Sequence, residues 1–73
     1  TKQGQYLAFI YYFTKIHGEP PSEAEMQRYF QVTPPSVHQM VLGLESKGLI
    51  ARTPGKSRSI RLLVDRANLS DLE

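Results

Sequence analysis

The chain has no cysteine in its 73 residues, so it forms no disulfide and offers no thiolate to a metal. His17 and His38 stand without a spaced carboxylate to complete a ligand set, which argues against a metal site. No apolar run approaches the roughly 20 residues needed to span a bilayer, and no signal-peptide pattern is visible. These absences suit a reducing cytoplasm. The chain begins at Thr1 rather than methionine, as expected of a processed form or of one piece of a longer protein.

Other absences bear on chemistry. Glycines are scattered and make no phosphate-cradling loop. No helix face carries the paired carboxylates of acid–base catalysis. Ser36 and His38 are two apart, a spacing that turns them to different faces of a helix. A chain this short also lacks a second layer to enclose a pocket. Catalysis is therefore not expected, and no cofactor or small-molecule ligand is implied.

Aromatic residues are missing from Gln31 to Glu73, which argues against a stacking platform for single-stranded nucleic acid. Tyr11, Tyr12 and Tyr29 come earlier and are better explained by packing. Acids are missing from Ser46 to Val64, where Lys47, Arg52, Lys56, Arg58 and Arg61 form a run of one sign. Glu19, Glu23, Glu25 and Glu45 precede that run, and Asp65, Asp71 and Glu73 follow it. The net charge is only +2, so the placement of charge, not its total, suggests a phosphate-binding surface.

What is present is enough for one small domain: 40% of residues are hydrophobic and 10% aromatic. Its most informative stretch runs from Thr33 to Gly48. Thr33 is placed to cap a helix and Pro34 to occupy its first position, where a missing N–H costs nothing. Lys47 suits the negative end of the helix dipole, and Gly48 supplies a left-handed stop. Val37, Met40, Val41 and Leu44 recur at i, i+3, i+4 and i+7, one apolar face. Pro35, Ser36, His38 and Gln39 occupy the other side of the first two turns, short and free of acid. That combination suits a helix whose N-terminal end enters a DNA groove. Leu42 lies off the apolar stripe and reads either as a dimer contact or as a wider core.

The rest of the chain fits around this helix. A first helix is expected from about Lys2 to Ile16, with Tyr6, Ile10 and Phe13 inward and Leu7, Phe9 and Ile16 widening the stripe. Gly18 can end it, and Pro20-Pro21 leads into Ser22-Glu-Ala-Glu25, a capping box. The second helix runs to about Phe30, with Ala24, Met26, Tyr29 and Phe30 as candidates for burial. Gln31-Val32-Thr33 is then the tight corner of a helix-turn-helix. Leu49 to Arg52 and Ser59 to Val64 read as strands, joined by the breaker-rich turn from Thr53 to Arg58. The expected fold is mainly α (α+β): a three-helix winged helix-turn-helix over residues 1–64, ending in a two-stranded β-hairpin wing. Residues 65–73 form a polar, acidic tail or the start of a linker.

Four segments, in this order, carry a family resemblance: Gly18-x-Pro20-Pro21-Ser22-x-x-Glu25-Met26, Thr33-Pro34-x-Ser36-Val37-His38, Leu44-Glu45-x-Lys47-Gly48-Leu49-Ile50 and Lys56-x-Arg58-x-Ile60. The chain resembles the N-terminal DNA-binding domain of the LexA repressor family over nearly its whole length to about Val64. That resemblance implies a winged helix that binds operator DNA as a dimer, one recognition helix in each major groove. Carried over residue by residue, it places DNA contacts at Thr33, Pro35, Ser36, His38 and Gln39 on the helix and at Lys56, Ser57 and Arg58 in the wing. Pro35, Gln39 and Met40 depart from common family choices, so no operator sequence is implied. LexA repressors continue into a self-cleaving domain with a serine–lysine pair, and nothing in these 73 residues supplies one.

Residue chemistry points the same way. Gln39 can bond adenine in a bidentate manner, and His38 can donate to guanine or meet a phosphate; the plainer reading of His38 is an exposed helix residue. Ser36 has three readings: a base, a phosphate, or its own helix amides. Lys56 and Arg58 have the clearest electrostatic case, on a wing able to reach phosphates or the minor groove. Arg52 and Arg61 are expected to meet phosphate or solvent. The function expected is sequence-specific binding of double-stranded DNA, on an inverted-repeat operator with pairing of two copies, in a transcriptional regulator of repressor type. The rival is a winged-helix protein-interaction module, which should carry acids on the third helix and a neutral wing.

Overall fold

The computed structural model describes residues 1–64; the acidic stretch 65–73 lies outside the described residues. Three helices come first: α1 (Lys2–His17), α2 (Glu23–Phe30) and α3 (Pro34–Ser46). Two short strands follow, β1 (Ile50–Ala51) and β2 (Arg61–Leu62), paired antiparallel with Ile50 opposite Leu62 and Ala51 opposite Arg61. This is the winged helix-turn-helix, mainly helical with a hairpin wing.

Local signals set the helix ends. Thr1 Oγ1 accepts from the Gly4 amide at 3.0 Å to start α1, and Gly18 ends it in the left-handed region at φ 78°. Ser22 and Glu25 form the reciprocal capping box of α2: the Glu25 amide donates to Ser22 Oγ at 3.2 Å, and the Ser22 amide donates to Glu25 Oε1 at 2.9 Å. The α2–α3 corner is left-handed at Gln31, φ 55°, although no glycine marks it; the Val32 amide closes the turn onto Gln27 O at 3.2 Å. Gly48, φ 74°, ends α3, and the Leu49 amide reaches back to Leu44 O at 3.0 Å.

One cluster makes the core: Tyr6, Leu7, Phe9 and Ile10 from α1, Met26 from α2, Val37, Val41 and Leu44 from α3, then Ile50 and Ile60 at the base of the hairpin. Phe13, Phe30, Val32 and Met40 pack against it, half-buried. Tyr6 and Phe30 stack at 4.1 Å with planes 8° apart, which locks α1 onto α2.

Three burial expectations fail. Ile16 is 74% exposed, because α1 runs one turn beyond the elements that cover it. Ala24 and Tyr29 are exposed as well. With only eight residues, α2 turns one narrow face inward, carried by Met26 and Phe30 at i and i+4. The strands are also shorter than the runs 49–52 and 59–64 suggest. Between them the Ser59 hydroxyl accepts from the Thr53 amide at 3.0 Å and sits 2.9 Å from Lys56 O. A side chain thus takes the place of a further ladder rung.

Gly43 lies within α3, where a Cβ would meet only Gln3 Nε2 at 3.9 Å, an ordinary contact. Gly43→Ala is therefore expected to stabilise the fold by about 0.5–1 kcal/mol through helix propensity. Thermal unfolding followed by circular dichroism should show a midpoint higher by about 2–8 °C; a lower midpoint would place Gly43 at a tighter contact than the structure gives.

Candidate nucleic-acid interface

The front of α3 is built by its cap. Thr33 Oγ1 accepts from the Ser36 amide at 3.4 Å and lies 2.9 Å from Ser36 Oγ, while the Val37 amide donates to Thr33 O at 3.2 Å. Pro34 and Pro35 hold the first two helical positions and carry no N–H. Of the first three helical positions only Ser36 keeps an amide, and Thr33 Oγ1 takes it. Pro35, Ser36, His38 and Gln39 are all exposed, while Val37, Val41 and Leu44 on the reverse face are 0% exposed.

His38 and Gln39 turn toward opposite flanks. His38 lines a cleft against the N-terminus of α2 and the wing, bounded by Ser22, Arg52, Lys56 and Ser57. Its Nδ1 lies 3.3 Å from both carboxylate oxygens of Glu23. A carboxylate only accepts, so Nδ1 is the donor in that contact, which leaves Nε2 to a ligand. On the other flank Gln39 lines a shallow hollow with Pro35, Ser36, Met40, Gly43 and Gln3. Gln3 is the residue that reading the sequence missed. It lies 36 positions from Gln39, and Lys47 Nζ donates to its Oε1 at 2.8 Å, which ties the N-terminus of α1 to the C-terminal end of α3 while Gln3 lines the hollow.

The wing is less basic in space than in sequence. Lys56 and Ser57 are exposed at its tip, and Lys56 makes no ion pair with a described residue. Arg52 is drawn down to Glu45 of α3, with Nε 3.1 Å from Oε1 and its side chain only 17% exposed. Arg58 is held by the body: Nη1 lies 2.7 Å from Glu25 Oε1, 3.3 Å from Pro20 O and 3.8 Å from Glu19 Oε2. Two of the five cations in the acid-free run are therefore paired with acids lying earlier in the chain. The turn from Thr53 to Ser59 is also closed on itself, since the Lys56 amide donates to Thr53 O at 3.1 Å and Ser59 bonds across it. The wing is a stapled turn, not a loose loop.

The Ser22 amide foremost, then the Arg58 guanidinium, hold the Glu25 carboxyl below the usual carboxylate range. A depressed folded value means that the stabilisation is present above the unfolded value of about 4.3 and is lost as pH falls through the folded one. Glu25→Gln is accordingly expected to destabilise the domain near neutral pH, with the deficit shrinking below about pH 4. Denaturant midpoints across pH would show this; a deficit constant with pH would remove the carboxylate charge from the account.

The sequence profile described as the LexA DNA binding domain matches residues 1–59. The chain is 40% identical over 62 residues to a LexA repressor of Thermosipho melanesiensis, covering 85% of this chain and 31% of that protein. It is 41% identical over 61 residues to a LexA repressor of Thermotoga neapolitana, 84% of this chain and 31% of the relative. A LexA repressor of Bartonella quintana is 35% identical over 63 residues, 85% of this chain and 27% of the relative. The chain thus spans about a third of the length of these curated relatives.

Proposed function

We propose that this chain, which belongs to the LexA DNA-binding domain family, acts as the DNA-reading head of a transcriptional repressor and binds an inverted-repeat duplex as a pair of copies. The observation that carries this reading is the front of α3: four exposed side chains, none acidic, beside a wing tip that offers Lys56 and Ser57. Gln39 reads a base edge, adenine by preference, because one amide group both donates and accepts. Pro35 supplies an apolar surface suited to a thymine methyl. His38 reads a base edge across the cleft, and Ser36 and Thr33 meet the nearby backbone. Lys56 and Ser57 contact phosphate. Arg52, paired with Glu45, supports the base of the wing. The contribution of these residues is binding, and the place of work is the cytoplasm, where the duplex is.

Selection of this chain against random duplexes, followed by salt titration, tests the reading. An inverted-repeat consensus with a steep fall of affinity with salt is the expected result. Absence of enrichment, together with no binding at low salt, would overturn it in favour of a protein-docking module.

A further inference from the structure

Arg58 occupies a backbone state that its residue type disfavours, φ 55°, in the left-handed region. Beside it Ser57 is exposed and Ser59 staples the loop. From that turn the Arg58 side chain runs inward, and Nη1 meets Glu25, the Pro20 carbonyl and Glu19 together. Glu25 Oε1 is at once the acceptor for the Ser22 amide in the capping box of α2. A single carboxylate oxygen therefore joins the start of the helix-turn-helix to the wing. The geometry points to Arg58 as a positioning residue for DNA binding, a latch that fixes the height of Lys56 and Ser57 over the groove through Glu25, and not a phosphate contact in its own right. This inference rests on the DNA-reading assignment, and it gives the Arg58 charge a partner within the fold although Arg58 lines the same cleft as His38 and Lys56.

Charge sign separates the two roles. Removing an acid near a DNA interface by electrostatics alone should strengthen binding, whereas breaking a latch should weaken it. Glu25→Gln is expected to lower affinity for the selected duplex about fivefold, the size of a good partly exposed ion pair. Arg58→Gln should lower it to a similar degree while leaving the slope of log affinity against log salt unchanged. The double variant should cost no more than either single one. Glutamine keeps the acceptor oxygen of the capping box, so Glu25→Gln removes the charge without uncapping α2. In the free protein, the Thr53 and Lys56 amides should exchange faster in Arg58→Gln than in wild type. A salt slope shallower by about 1.8 in Arg58→Gln, one contact in each of the two copies, would make Arg58 a phosphate contact and overturn the proposal; so would tighter binding by Glu25→Gln. Amide exchange needs no DNA: unchanged exchange refutes the latch itself, whereas faster exchange in a chain that binds no duplex refutes the DNA assignment alone.

Discussion

Leu44→Ala is expected to cost about 2–5 kcal/mol, the range for deleting a large aliphatic side chain from a close-packed core. Leu44 is 0% exposed and belongs to the single cluster that joins α1, α2, α3 and the base of the hairpin. Its carbonyl also accepts the Leu49 amide that turns α3 into β1. Val41 and Ile50 of the same cluster are themselves fully buried, so the core around the gap is already close-packed. At ~0.05–0.15 kcal/mol per residue, a domain of this length holds only about 4–11 kcal/mol in total. The substitution should therefore remove a large part of the stability. The measurement is the thermal midpoint by circular dichroism, with a fall of about 10–30 °C expected. A fall under about 5 °C would mean that the hairpin repacks over the gap and that the core is softer than the structure shows. The consequence reaches function, since α3 carries Gln39 on the face opposite Leu44.

The features legible in the sequence were those that act over three or four residues. Thr33 with Pro34, Ser22 with Glu25, and Gly18 and Gly48 each name a helix end, because capping is local chemistry. The stripe of Val37, Val41 and Leu44 is likewise a matter of helical period, and it left Pro35, Ser36, His38 and Gln39 outward. The family match from residue 1 to 59 and the winged fold agree with the resemblance carried by the four ordered motifs. What the sequence could not disclose depends on contacts distant along the chain. Arg58 and Glu25 are 33 positions apart, so an acid-free run looked like free charge when part of it was already neutralised. Gln3 reaches the helix front only because α1 crosses there. Ile16 fits the helical period yet lies beyond the covering elements, for period states direction and not what stands opposite. The strands shortened because the Ser59 hydroxyl competes with backbone pairing, a choice that strand propensity does not describe.

Gln39→Ala is expected to weaken binding to the selected duplex by about 1–3 kcal/mol, roughly 5- to 150-fold, and to relax base preference at one position of each half-site. The case rests on where Gln39 stands. Pro35 precedes it by one turn and Gly43 follows by one turn, so neither flanking side chain extends past it, and the hollow it shares with Gln3 gives the amide room to align with a base edge. A glutamine carries no charge, so its loss should leave the dependence on salt unchanged. Lys56→Gln supplies the contrast: all duplexes should weaken alike, and the slope of log affinity against log salt should become shallower by about 1.8, one phosphate contact being lost from each of the two copies. Titrations of both variants against the selected duplex and a scrambled one separate the cases. Should Gln39→Ala keep the wild-type base preference, the face of α3 would read the groove through Pro35 and His38, and Gln39 would stand outside it beside Gln3. Should it instead flatten the salt slope, the amide would be meeting the backbone, and the reading of sequence would pass to His38 on the opposite flank.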